Sequence, residues 1–295
     1  MSLTYSTPGI VLKSTAMGEA DRLLSILSPE RGLIRAVAPG TRKPKSKLGG
    51  RTSLFVVSQL FLVRGRSLDK ILQADLQTSY PGLSRSLAKL TVGQYWAELV
   101  LRQALSEQPQ PELYRQMLYL LGELETTEAV LSLLLLGIMT LLTLAGLNPQ
   151  VAHCCLTQQP IDAHHLNSAA GAFFSPAAGG VVLGKALEHF HSPPRPTRVS
   201  EGPKSDYTSK GDPRLRKQQP DLIRLSLPHW LILKSLGEGD IQQLTSPHGD
   251  PLFSPQNLLK VEQILRSFIQ HYFDRPIQSA VLIDHLFSVS ASSLP

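Results

Sequence analysis

Hydrophobic positions come in short runs over the first eighty residues and then change period. Gly9-Ile10-Val11-Leu12 is a β-branched run, and Leu23-Leu24-Ser25-Ile26-Leu27 follows and ends at the Pro29…Gly32 turn signal. Leu33-Ile34-Arg35-Ala36-Val37 alternates less cleanly. Leu54 to Val63 is the longest strand candidate, Arg64-Gly65-Arg66 turns it, and Leu68 to Ala74 completes the set. Short β-rich runs separated by turn residues at this spacing predict a small antiparallel barrel.

From residue 83 the period is helical. Leu83, Leu87, Leu90, Tyr95, Leu99 and Leu101 form an apolar stripe through 83–105, which Pro109 and Pro111 stop. Leu113, Met117, Leu120, Leu121 and Leu124 repeat at three- and four-residue steps and predict a second helix. Val130 to Leu147 is apolar apart from Ser132, Thr140 and Thr143. Its length touches the lower limit for a membrane span. It contains glycines, lacks nearby flanking Lys or Arg, and ends at Asn148-Pro149, so a buried central helix is the preferred reading over a membrane-associated helical protein.

Residues 150–190 are rich in Ala and Gly. Residues 191–220 carry six prolines and seven cations with almost no large apolar residue, which predicts a mobile basic insertion. Helix is expected again at 221–238 and at 254–272, the latter with Ser254 as N-cap and Pro255 at the first position. The helices on both sides of 150–220 are expected to form one domain with that region inserted.

Charge is concentrated at one end. Residues 1–80 hold twelve Lys/Arg and five Asp/Glu, hence +7, while the remainder holds 17 against 18, hence −1, for a net +6. A basic head on a near-neutral body points to an acidic partner at that end. The head's most basic stretch runs from Ala38 to Arg51, with five cations, three glycines, two prolines and no acid. Such a sequence packs neither as strand nor as core helix and reads as a solvated loop facing a phosphate backbone. The cations expected to contact phosphate are Arg35, Arg42, Lys43, Lys45, Lys47, Arg51, Arg64 and Arg66. Aromatics are sparse: Phe55 and Phe61 lie six apart, on one face of a continuous strand, and Tyr80 follows. Backbone electrostatics should therefore dominate over base stacking.

Other chemistry is thin. Cys154 and Cys155 are adjacent and cannot staple distant segments, and no secretory leader is expected from Met1-Ser2-Leu3-Thr4, so a cytosolic location is the default. These cysteines with His164 and His165 make a poor ligand set, because adjacent residues rarely aim at one ion. Gly179 through Gly184-Lys185 imitates a phosphate-binding loop, but Ala186 stands where a hydroxyl is required. Histidine is absent before residue 153, and no nucleophile–base set has local support. No enzyme, cofactor or metal is expected.

Several segments in order resemble the RecO family of bacterial recombination mediators. They are Gly9-Ile10-Val11-Leu12-Lys13, Gly18-Glu19-Ala20-Asp21-Arg22, Gly32, Ala38-Pro39-Gly40 leading into Arg42-Lys43-Pro44-Lys45-Ser46, Gly49-Gly50, Arg64-Gly65-Arg66 with Leu68, and Tyr95…Glu98-Leu99. The resemblance implies an α+β multidomain chain: an N-terminal five-stranded OB-fold barrel (1–80), an α-helical body (81–150 and 221–295), a small zinc-finger-like insertion (151–190) and a flexible basic linker (191–220). It implies binding and annealing of single- and double-stranded DNA, in the cytoplasm at the nucleoid, and assistance to RecA in replacing single-strand-binding protein, together with RecR. An OB-fold RNA-binding protein of translation or RNA processing is the alternative. Many family members carry two Cys-x-x-Cys pairs. Here those positions hold Cys154, Thr157, Leu183 and Ala186, so the insertion is expected to be degenerate and metal-free.

Overall fold

The computed structural model describes residues 4–191, 222–238 and 251–291. The expectation of a mobile linker lies, from residue 192 on, outside the described residues. The chain divides into two compact units, which among the described residues comprise 4–147, 251–259 and 276–291 in the first, and 148–191, 222–238 and 260–275 in the second.

The first unit opens with a closed five-stranded barrel, an OB-fold-like domain. Its strands are β1 (Thr4–Met17), β2 (Asp21–Ser28), β3 (Gly32–Ala38), β4 (Val57–Val63) and β5 (Asp69–Thr78). The order around the barrel is β1-β2-β3-β5-β4, with β4 returning to β1. β1 is long because it serves two neighbours: Thr4 to Ile10 pairs with β4, and Ile10 to Met17 pairs with β2 across an irregularity between Val11 and Lys13. A bulge at such a corner bends a strand so that the sheet can close. β3 meets β5 in parallel at Ala36↔Asp69 and Val37↔Lys70. The interior is filled by alternate residues, among them Leu24, Ile26, Ile34, Ala36, Leu60, Leu62 and Ile71, which is why a period of two was readable in the sequence.

The fourth strand is shorter than its apolar run suggested. Leu54 to Val56 stay outside β4, because Phe55 adopts φ +61 and turns the chain. This conformation is costly for a bulky residue. It is offset by burial: Phe55 is 3% exposed and its ring lies against Gly93. Phe61 is 40% exposed on the outer face of β4, opposite Ser6 and Gln73. The two rings therefore do not share a face.

The helical body of this unit comprises α1 (Pro81–Ser84), α2 (Leu87–Gln103), α3 (Pro111–Thr126) and α4 (Val130–Leu144). The stripe at 83–105 is thus two helices, because Ser86 leaves helical geometry and caps α2 by accepting from the Lys89 N–H. α4 is buried along most of its length, with Leu133 to Met139 all inside. No helix among the described residues is long and apolar enough to cross a membrane. Trp96 of α2 is fully buried, donates its indole N–H to Leu134 O at 3.3 Å, and lies on Gly137 of α4, where any Cβ would collide with the ring. A last helix, absent from the sequence reading, runs over Ala280–Ala291 and packs on α2. Glu98 of α2 accepts the backbone N–H groups of Gln278 and Ser279 at 2.8 and 2.9 Å, and Arg102 donates to Pro276 O at 2.6 Å. The two bonds to Glu98 satisfy the N–H donors of the residues that lead into the final helix.

The second unit is mixed, where the sequence suggested no strands. α5 (Ala163–Asn167), β6 (Ala172–Ser175), β7 (Gly180–Leu183) and α6 (Gly184–His191) precede β8 (Ile223–Arg224) and α7 (Leu227–Glu238). The sheet order is β7-β6-β8. The helix expected from 221 begins only at Leu227, with Pro228 in its first turn. α8 (Pro255–Phe273) begins, as expected, after Ser254, and α9 (Ala280–Ala291) is the last helix already described. Phe268 of α8 meets Phe174 of β6 edge to face at 6.1 Å, and Trp230 of α7 donates to Val151 O at 2.9 Å.

Candidate nucleic-acid interface

The basic stretch joins β3 to β4 as a loop, and the barrel holds it in place. The Arg42 N–H donates to Ala20 O at 2.9 Å, the Arg42 guanidinium to Gly18 O at 2.6 Å, and the Gly40 N–H to Asp21 Oδ1 at 2.8 Å. Asp21 thus clasps this loop to the β1–β2 turn. Farther on, Leu48 packs against the barrel core. Thr52, the last residue of a short 3-10 turn over Gly50–Thr52, donates its hydroxyl to Leu48 O at 2.7 Å. Arg51 donates to Ala74 O at 2.9 Å and pairs with Asp75 at 3.4 Å. The Phe55 N–H then donates to Val11 O at 2.8 Å, which closes the loop.

These bonds divide the five loop cations into two kinds. Arg42 and Arg51 spend donors on backbone carbonyls. Lys43, Lys45 and Lys47 are exposed, and no ion pair engages them among the described residues. Three flexible ammonium groups on a backbone fixed at both ends form a compact, water-facing positive surface.

Arg35 lies midway along β3, and Arg64 and Arg66 lie in the β4–β5 connection, which enters the barrel beside Ala36. There Arg31, Arg35, Arg64 and Arg66 line one recess. Local sequence builds it. Gly32 has φ +63 and lies so close to the α2–α3 connection that a Cβ would strike the carbonyl oxygens of Leu105 and Gln108. That approach lets Leu33 N–H donate to Leu105 O and Gln110 N–H donate to Pro29 O, both at 2.9 Å. Glu107 is thereby brought to Arg64, with which it forms an ion pair. On the far wall the Arg64–Leu68 turn closes tightly enough that Gly65 tolerates no side chain, and its N–H donates to Asp69 Oδ1 at 2.9 Å. Asp69 also accepts from the Tyr5 hydroxyl. Burial, then this carboxylate, push the Tyr5 phenol well above its ordinary value. Arg31 lies over the Tyr5 ring, 4.0 Å from its centroid. Arg31 was missed in the sequence because it sits in a turn; its signal is the four-residue step to Arg35 across Gly32.

In the second unit Cys154 is buried, and its sulfur accepts the Leu183 N–H at 3.4 Å. Burial raises the thiol's pKa. Donors from Thr157, Leu183 and Leu156 outweigh that and hold it below its ordinary value. The zinc implied by the resemblance does not fit here. Leu183 and Ala186 are buried side chains without a donor atom, and no group of three or more His, Cys, Asp or Glu able to hold a metal occurs among the described residues. His164 and His165 are used locally: His165 completes a capping box with Asp162 at the start of α5.

The barrel, its basic surfaces and the attached helices define an OB-fold-like protein with a cationic face. Comparison with known proteins makes this specific. The family profile for the recombination protein O N-terminal region matches residues 1–80, and that for its C-terminal region matches residues 84–191. The DNA repair protein RecO of Acaryochloris marina is 47% identical over 296 residues, covering 98% of this chain and 97% of the relative. Those of a Nostoc and a Cyanothece species are 42% and 44% identical, each covering 98% of both chains. The chain belongs to the RecO family.

Proposed function

We propose that this protein is a non-catalytic recombination mediator. It binds and anneals DNA strands and, with RecR, assists RecA in replacing single-strand-binding protein in the cytoplasm. Membership of a DNA repair family supports the process. The observation that carries the mechanism is the clasped loop with Lys43, Lys45 and Lys47 free at its surface. Ammonium groups on a fixed backbone neutralise phosphates and release counterions without reading bases. Because Asp21, Arg42, Arg51 and Phe55 already hold the loop, little conformational entropy is lost when DNA binds. Arg42 and Arg51 contribute their remaining donors, and Arg35, Arg64 and Arg66 supply a second anchoring point beside the first half of β3. A strand bridging both would be fixed in direction while its bases stay available for pairing, which is what annealing needs. The test is a strand-annealing assay on complementary oligonucleotides, bare and coated with single-strand-binding protein. Acceleration of both is expected. No acceleration over the uncatalysed rate with either substrate would refute the reading.

A further inference from the structure

We propose that the arginine recess at the start of β3 is a discrete site for a phosphate monoester, of the kind found at the end of a DNA strand. The proposal rests on the DNA-binding reading above and deepens it. The two basic surfaces differ in chemistry. The loop presents lysines, compact point charges that suit a diffuse polyanion. The cations of the recess are all arginines, whose planar forks match phosphate oxygens in a fixed geometry.

Four arginines line it together with two carboxylates, a net charge of +2. One of those carboxylates, Asp69, is engaged by the Tyr5 hydroxyl and the Gly65 N–H. Glu107 pairs with Arg64, and no ion pair engages Arg35 or Arg66 among the described residues. Like charges lining one recess are unfavourable unless an anion completes them. A monoester carries about −1.5 to −2 at neutral pH, near the recess's surplus, whereas an internal diester carries −1. Size agrees. The recess holds about 160 Å3, well short of the roughly 300–1,000 Å3 of sites that enclose whole drug-sized ligands. It admits a phosphate group and leaves the nucleoside outside. Glu107 holds the place of one phosphate oxygen on Arg64, and an arriving dianion displaces it.

The test uses the full chain and three oligonucleotides of one sequence, internally labelled, with a 5′-phosphate, a 3′-phosphate or hydroxyls at both ends. Fluorescence anisotropy should show at least one phosphorylated strand binding roughly tenfold tighter than the hydroxyl-ended strand, the scale of hydrogen bonds between charged groups. The preference should vanish in the R35Q/R66Q double variant, which leaves the Arg31–Tyr5 stack and the Arg64–Glu107 pair in place. In E107Q it should grow about two- to fivefold, the scale of a surface ion pair. Equal affinity for all three strands overturns the proposal, and so does a preference that survives in R35Q/R66Q. If the hydroxyl-ended strand fails to bind at low salt, the DNA-binding reading falls instead.

Discussion

Replacing Lys43, Lys45 and Lys47 together by Gln isolates the part of the basic loop that faces water. None of the three donates a side-chain hydrogen bond to the barrel, whereas Arg42 and Arg51 do. The change therefore removes three positive charges and leaves the clasp intact. Each phosphate contact on a single strand contributes about 0.7 to the slope of log K against log salt, so the slope should flatten by roughly 2. Over the tenfold interval from 1 M to 0.1 M salt that difference is about 100-fold in affinity. Exposed substitutions of this kind move stability by about 0.5 kcal/mol or less, so the melting curve should be nearly superimposable. The assay is a salt titration by anisotropy on two unrelated oligonucleotides. The loss should be equal on both, because phosphate contacts carry no base information. An unchanged slope with a folded protein would remove the loop from the DNA surface and leave the arginine recess as the remaining candidate. A loss confined to one oligonucleotide would refute the backbone mechanism.

Other outcomes follow from packing and titration. Gly137→Ala places a methyl group in the Trp96 ring and should destabilise the first unit by about 1–3 kcal/mol, the scale of overpacking, as read by urea denaturation. Elemental analysis of protein purified without added metal should show no stoichiometric zinc, because Thr157, Leu183 and Ala186 occupy three of the four family ligand positions; one zinc per chain would overturn that. Burial pushes the Tyr114 phenol up to about 12. The unfolded chain loses that proton near pH 10 and the folded chain holds it, so this contribution is complete below pH 10 and is lost as pH rises from 10 toward 12. The urea midpoint should fall over that window, and less steeply in Tyr114→Phe.

The barrel was legible because each strand has one face inside, and alternation records that directly. Its details were legible only in part. β1 is fourteen residues long while the apolar run at its centre is four, since the rest pairs through backbone groups that leave no hydrophobic trace. Phe55 read as a strand residue because sequence shows its bulk and not its φ. The basic loop stood out through composition, yet nothing in it separates Arg42 and Arg51, which hold the fold, from the lysines, which do not. That division depends on Gly18, Ala20 and Ala74 offering carbonyls, a property of position alone. The arginine recess was hidden for a related reason: Arg31, Arg35, Arg64 and Arg66 come together only through the β3–β5 pairing and the contact at Gly32. In the second unit the strands are only two to four residues long, too short for any period to show among Ala and Gly.

The bonds from Glu98 to Gln278 and Ser279 span about 180 residues of chain. At about 5–20 residues per second, a ribosome takes roughly 10 to 40 seconds to cover that interval. For most of it the barrel and α1 to α4 have been made, but the side of α2 that packs against the last helix stands open to water. The first unit is thus completed only once residues 276–291 have been made. A chain interrupted before residue 276 would carry its whole basic surface on an unfinished helical body, exposed to chaperones and proteases. The carboxylate of Glu98 therefore ties completion of the helical body beside the basic barrel to translation of a segment about 180 residues farther on.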